Sequence, residues 1–275
     1  MQPSAPIGVF DSGYGGLTIL KELVNALPQY DYLYLGDNAR APYGTRSFET
    51  VYQYTLEAVE WFFEQGCELV ILACNTASAK ALRTIQQKDL ANYGPSKRVL
   101  GVIRPTAEVI GRFLESGQLG VLATKGTVIS ESYILEIAHF FPEMAVYQQA
   151  CPMWVPLIEN GAHEGSGADY FVKESLDQLL QQSPAIDTIL LACTHYPLLE
   201  AKIKANAPQH VKFISQGDIV AQSLSLYLEN HPEMAQKCSK NGQIAFYTTD
   251  NEQVFEQQAG LFFGQKIAAK HTDLT

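Results

Sequence analysis

Apolar residues along this chain fall into two alternating patterns. Short continuous apolar runs predict buried strands over 7–10, 32–35, 69–73, 99–102, 119–123, 145–149, 188–192, 211–214 and 244–247. Between them, longer stretches with apolar residues at helical spacing predict helices over 17–27, 48–64, 78–87, 107–114, 130–140, 170–181, 198–206, 219–228 and 253–263. In 48–64 the pattern rests on Val51, Leu56, Val59 and Phe63. Pro28 stops the first helix, and Asp250 with Gln253 forms a capping box for the last. Strand–helix alternation over the whole length predicts an α/β protein, its mainly parallel sheets covered by helices on both faces.

One stretch of the pattern repeats. Residues 69–76 read LVILACNT and residues 188–195 read TILLACTH. Each is an apolar strand that ends in Ala-Cys, continues through small polar residues and enters a helix. The two cysteines, Cys74 and Cys193, lie about one small domain apart in sequence. Two related α/β units are therefore expected, each presenting a cysteine at a strand's C-terminal end, the edge where open parallel sheets bind ligands.

Composition narrows the partners. The 275 residues suit one large domain or two small ones, and 47% hydrophobic against 17% charged residues predicts a packed core. A formal charge of -10 repels phosphate backbones, so nucleic acid is not an expected partner. The apolar runs are too short to span a bilayer, and the first residues show no basic segment followed by an apolar one; neither membrane nor export is expected. The five cysteines, odd in number, widely spaced and without CxxC, predict free thiols in a reducing cytoplasm rather than a disulfide framework. There is no HExxH, and His139, His163, His210, His231 and His271 are scattered without ligand spacing, so no metal site is expected.

The candidate chemistry gathers at predicted strand ends. A free cysteine is ordinarily a small buried hydrophobe, and Cys67, Cys151 and Cys238 are assigned that role. Cys74 and Cys193 differ because each precedes a helix start, where unpaired N–H groups stabilise a thiolate. The loop Asp11-Ser12-Gly13-Tyr14-Gly15-Gly16 joins a strand to a helix and suits either a tight structural turn or an anion site; it lacks the lysine of a P-loop. Asp37-Asn38 and Ala41-Pro42-Tyr43-Gly44 read equally as a solvated turn or a ligand-facing loop. His195 lies two residues beyond Cys193, where it can shift a thiol's ionisation. Glu159 reads by default as a surface acid on a helix.

Taken together, Asp11-Ser12-Gly13, Pro42-Tyr43-Gly44, Ala73-Cys74-Asn75-Thr76 and Cys193-Thr194-His195-Tyr196-Pro197 resemble, in order, the motifs of the aspartate/glutamate racemase family. The likeness spans nearly the whole chain. It implies cofactor-independent interconversion of L- and D-glutamate, supplying D-glutamate for peptidoglycan, with Cys74 and Cys193 as the two acid/bases. It implies that Asp11 and His195, with Asp37 and Glu159, assist proton transfer. Ser12, Tyr43, Gly44, Asn75, Thr76 and Thr194 would hold the amino and carboxylate groups, joined by Asp11 and His195 and by Thr124 and Thr127. It also implies two similar α/β domains facing each other across a cleft, 1–98 plus 211–275 and 99–210. Arg104 is a departure, standing at the expected cleft rim where many relatives carry an uncharged or acidic residue. A homodimer is the default assembly from symmetry base rates.

This chemistry suits the residues. Racemisation removes the Cα proton on one face and returns one on the other, so a base and an acid must oppose each other across a site that stabilises the carbanion and excludes water. A pyridoxal enzyme would need a lysine Schiff base, and no motif singles out Lys21, Lys80 or Lys125. Three other readings compete. A racemase for aspartate or a broader set shares the motifs. A thiol hydrolase or transferase using Cys193 with His195 is disfavoured because i and i+2 do not face each other in a strand. A two-lobed binding protein would need an export signal and no thiols.

Overall fold

The computed structural model describes residues 5–274 and contains two sheets, both wholly parallel. The larger has the order β10-β9-β2-β1-β3-β4, from β1 (Ile7–Asp11), β2 (Tyr32–Gly36), β3 (Leu69–Leu72), β4 (Arg98–Gly101), β9 (Ile244–Thr248) and β10 (Ala269–His271). The smaller has the order β6-β5-β7-β8, from β5 (Gln118–Ala123), β6 (Ala145–Ala150), β7 (Thr188–Ala192) and β8 (Lys212–Ile214). Each sheet carries helices on both faces, making two α/β lobes. The first half of the chain supplies α1 (Leu17–Ala26), α2 (Phe48–Glu64), α3 (Asn75–Lys80), α4 (Leu82–Thr84), α5 (Ile103–Val109), α6 (Lys125–Ile129) and α7 (Ser132–Phe140). The second half supplies α8 (Trp154–Glu159), α9 (Ser166–Gln182), α10 (Glu200–Asn206), α11 (Gly217–Asn230), α12 (Pro232–Lys237) and α13 (Glu252–Phe263).

Continuous apolar strands follow from burial on both faces. Alternate residues of the larger sheet serve separate cores: Ile7, Val9, Tyr32, Tyr34, Leu69 and Ile71 pack on one side, Phe10, Leu33, Leu35, Val70 and Leu72 on the other. The smaller sheet divides likewise, Ile189 and Leu191 joining the first of these cores while Val121, Leu190 and Ala192 face α5 and α7. One core is thus shared by both lobes. Each Leu, Ile or Val buried in it contributes about 1.5–3 kcal/mol. The helix 48–64 forms over the predicted range: Ser47 caps it by accepting from Thr50 N at 3.1 Å, and Val51, Thr55, Ala58, Val59 and Phe62 make its buried face.

The structure departs from expectation in several places. Arg98–Gly101 pairs with β3 in the larger sheet, and Lys212–Ile214 pairs with β7 in the smaller. Both expected boundaries, 98/99 and 210/211, therefore fall one strand early, because the chain crosses between sheets after each strand rather than before it. Residues 1–4 and 275 of the expected first unit lie outside the described residues. The short strand β10 and the helices α6, α8 and α12 have no counterpart among the predicted elements. The last helix is capped by Asn251, which accepts from Val254 N at 3.1 Å, and not by Asp250. Arg104 lies on the outer face of α5, ion-paired with Glu108 at 3.0 Å and set over the Phe140 ring, away from the cleft. Among the described residues no helix is long and apolar enough to cross a membrane, and no group of His, Cys, Asp or Glu is arranged to hold a metal ion.

Candidate active site

Cys74 and Cys193 follow the C-terminal ends of β3 and β7, the strands directly beside β1 and β5 respectively, and line one cleft between the lobes. The cleft has an empty volume of about 680 Å³. Ala73 N and Cys74 N both donate to Phe10 O, at 2.8 and 3.4 Å, which sets Cys74 beside the loop that begins at Asp11. Cys74 is the N-cap of α3; its Sγ accepts from Ala77 N at 3.5 Å and meets Ser12 Oγ at 3.5 Å. Burial nonetheless pushes the Cys74 thiol up to about 12, with the Asp11 carboxylate adding to the rise and the Ser12 and Ala77 contacts opposing it. The helix-start stabilisation expected from sequence is present but is outweighed by desolvation.

Cys193 has different surroundings. Its strand ends at Ala192 and the chain turns at once, Tyr196 N donating to Cys193 O at 3.1 Å. The turn brings His195 Nδ1 to 4.0 Å from Cys193 Sγ. Residues i and i+2 do meet here, contrary to the strand-based expectation, because Cys193 already lies beyond the strand. His195 Nε2 contacts Glu159 Oε1 at 2.9 Å, Glu159 being the last residue of α8. Burial alone would lower the imidazole's pKa, but Cys193 and Glu159 outweigh it and push His195 up to about 10. Glu159 is therefore no plain surface acid. Gly15 passes so close beneath this group that a Cβ there would fall 2.2 Å from Thr194 Oγ1 and 2.3 Å from His195 Nδ1.

The other expected residues divide between the cleft wall and its supports. Ser12, Tyr43, Gly44, Asn75, Thr76, Thr124 and Thr194 line the cleft. Asp11 is buried behind it: its carboxylate accepts from Gly13 N at 3.0 Å and Thr194 Oγ1 at 3.3 Å, and burial raises its pKa against the pull of His195. Asp37 also lies behind the wall, accepting from Tyr43 OH, from Arg40 Nε at 2.7 Å and from Thr249 Oγ1 at 2.8 Å. It holds the Tyr43 loop and does not face the cleft. Thr127 stands behind Thr124, at 3.1 Å. The lobes touch across the cleft where Gly126 N donates to Gly44 O at 2.8 Å and Thr76 Oγ1 meets Thr124 Oγ1 at 2.9 Å.

Sequence reasoning missed Cys151, Lys125 and the Pro152, Val155 and Pro156 segment, all of which line the cleft. For Cys151 a signal existed: it follows β6 through Ala150, making a third Ala-Cys at a strand end. Burial pushes its thiol up to about 12, and its Sγ donates to Gln149 O.

Comparison with known proteins places this two-lobed fold. The model of the Asp/Glu/hydantoin racemase family matches residues 7–224. The chain belongs to that family. It is an isomerase of the racemase class, and other racemases resemble it at full length. The glutamate racemase of Geobacter metallireducens is 38% identical over 265 residues, covering 96% of this chain and 95% of its own. A glutamate racemase isoform of Bacillus anthracis superposes with a TM-score of 0.89 at 34% identity, covering 99% of each chain. The Francisella tularensis glutamate racemase, solved in complex with D-glutamate, superposes with a TM-score of 0.86 at 32% identity, covering 99% of this chain and 98% of that one.

Proposed function

We propose that this racemase interconverts L- and D-glutamate by two-base proton transfer between Cys74 and Cys193. The observation that carries the reading is the pair of thiols on one cleft, one from each lobe: Cys193 Sγ 4.0 Å from His195 Nδ1, whose Nε2 meets Glu159 at 2.9 Å, and Cys74 Sγ 3.5 Å from Ser12 Oγ and Ala77 N. Starting from L-glutamate, the Cys193 thiolate takes the Cα proton, so a C–H bond breaks and an S–H bond forms while His195 stabilises the thiolate it faces. The carbanion-like state is then protonated on the opposite face by the Cys74 thiol, and no electrons are gained or lost overall. D-glutamate uses the same path in reverse. Thr76, Thr124 and Thr194 hydroxyls with the first-turn N–H groups of α3 supply donors for two carboxylates in an otherwise acidic chain. Glutamate as substrate is supported by the relatives' names and by the D-glutamate complex of the Francisella protein. The reading needs no metal or pyridoxal group, and places the enzyme in the cytoplasm, where thiols stay reduced, as a source of D-glutamate for the cell wall. A homodimer is the default assembly, measurable by sedimentation.

Reaction of L-glutamate in D2O tests the two bases. Early D-product carries deuterium at Cα while unreacted L-substrate stays largely unlabelled; early label in both pools defeats two separate bases. Cys74→Ser and Cys193→Ser each abolish turnover in both directions. The first change also separates a rival, since Cys193–His195–Glu159 could serve as nucleophile, base and orienting acid of a thiol hydrolase. A hydrolase would survive Cys74→Ser, and a two-base racemase would not.

A further inference from the structure

Asn75 follows Cys74 directly, and its side chain belongs to a closed ring of hydrogen bonds. Tyr133 OH donates to Asn75 Oδ1 at 2.5 Å, Asn75 Nδ2 donates to Gln216 Oε1 at 2.8 Å, and Gln216 Nε2 donates to Tyr133 OH at 2.8 Å. All three residues are buried. Each gives one bond and takes one, the arrangement in which neighbouring hydrogen bonds polarise each other. Gln216 Nε2 also reaches Thr106 Oγ1 at 2.9 Å and Val102 O at 3.3 Å.

The position of these partners matters more than their number. The chain passes between the two sheets twice, after β4 and after β8. Val102 stands at the first crossing, where β4 gives way to α5, and Gln216 at the second, immediately before α11. Tyr133 and Thr106 belong to α7 and α5, which cover the smaller sheet. One carboxamide thus ties both crossings to each other and ties the pair to the residue beside Cys74. A rotation of one lobe against the other about these two crossings would strain this ring.

We propose that Gln216 is a positioning residue for Cys74. Its carboxamide fixes the angle between the lobes and, through Asn75, the placement of the Cys74 thiol against a substrate whose other face is served by Cys193. The inference rests on the two-thiol reading for its catalytic consequence. Misplacement of a reacting group by about 1 Å lowers rate by about 100-fold, so a loosened hinge is felt in turnover before it is felt in binding.

Gln216→Met keeps the chain length and removes both polar atoms; Tyr133→Phe removes one hydroxyl from the same ring without a change in the ring's aromatic volume. In the full-length protein each is expected to lower kcat roughly 10- to 100-fold in both directions, with KM held within about threefold. The double variant is expected to be no slower than Gln216→Met alone, since either change opens the same ring. A second readout is independent of turnover: alkylation of Cys74 by iodoacetamide, followed on its peptide by mass spectrometry, rises roughly tenfold as the hinge opens, while alkylation of Cys67, remote from the hinge, keeps its parent rate. Unchanged kcat and unchanged Cys74 alkylation in both variants overturn the assignment, even where the melting temperature falls. If Gln216→Met does not fold, Tyr133→Phe decides. If the parent protein fails to racemise glutamate while Cys74 alkylation still responds, the proposed reaction fails and the hinge assignment stands.

Discussion

Glu159→Gln is the sharpest test of how the Cys193 side of the cleft works. The change keeps shape and a hydrogen-bonding oxygen but removes the charge 2.9 Å from His195 Nε2. Hydrogen bonds to a charged partner contribute about 1.5–3 kcal/mol, against about 0.5–1.5 kcal/mol for neutral ones. The Glu159 side chain is 24% exposed, so solvent screening places the difference at the lower end, near 1–1.5 kcal/mol. At 1.36 kcal/mol per pKa unit, His195 falls by roughly one unit. The sign follows from the group: a histidine held up to about 10 by partners loses its proton at lower pH when one partner is neutralised. The alkaline limb of kcat for L-glutamate is therefore expected to move down by roughly one unit, with a smaller loss at neutral pH, where His195 stays protonated. Circular dichroism follows racemisation continuously from pH 6 to 10, and kcat is the quantity to compare because it reports groups in the bound complex while the free substrate's ammonium affects kcat/KM. A limb that stays in place while kcat drops uniformly would show that Glu159 only packs the wall. A limb that moves up would refute the charge assignment outright.

Two further expectations bear on the same cleft. Gly15→Ala drives a methyl into Thr194 and His195, both held by the second lobe, and is expected to lower kcat by at least tenfold while destabilising the fold by about 1–3 kcal/mol; parent-like kcat in steady-state assays would mean the loop yields without disturbing His195. Exhaustive chelation and the absence of pyridoxal absorbance are expected to leave turnover unchanged, and activity restored only by an added divalent metal would overturn the thiol mechanism.

How much of this was written locally can be judged residue by residue. The strand positions were legible because burial on both faces of a parallel sheet leaves an apolar run that needs no partner to be recognised, as in 69–72 and 188–192. The position of Cys74 and Cys193 on the cleft was legible for a related reason: strand ends in such sheets face the ligand edge, and Ala-Cys followed by small polar residues marks that edge. Family motifs added the racemase class. Sheet membership was not legible: Arg98–Gly101 and Lys212–Ile214 look like any other strand, and although each pairs with the strand just before it, nothing local tells whether the chain crosses to the other lobe before or after it. Nor were side-chain directions. Asp37 turns behind the wall to Tyr43 and Arg40, and the turn after Ala192 folds His195 back on Cys193. The ionisation of Cys74 depends on how much water the assembled lobes exclude. Sequence determined most of the segments that form strands and that Cys74 and Cys193 reach the edge, because those depend on local periodicity and residue type. Tertiary structure decided which residues meet across the cleft and how Gln216 joins its hinge, because contact, desolvation and charge coupling act between segments far apart in sequence, as where Gln216 meets Asn75 and Val102.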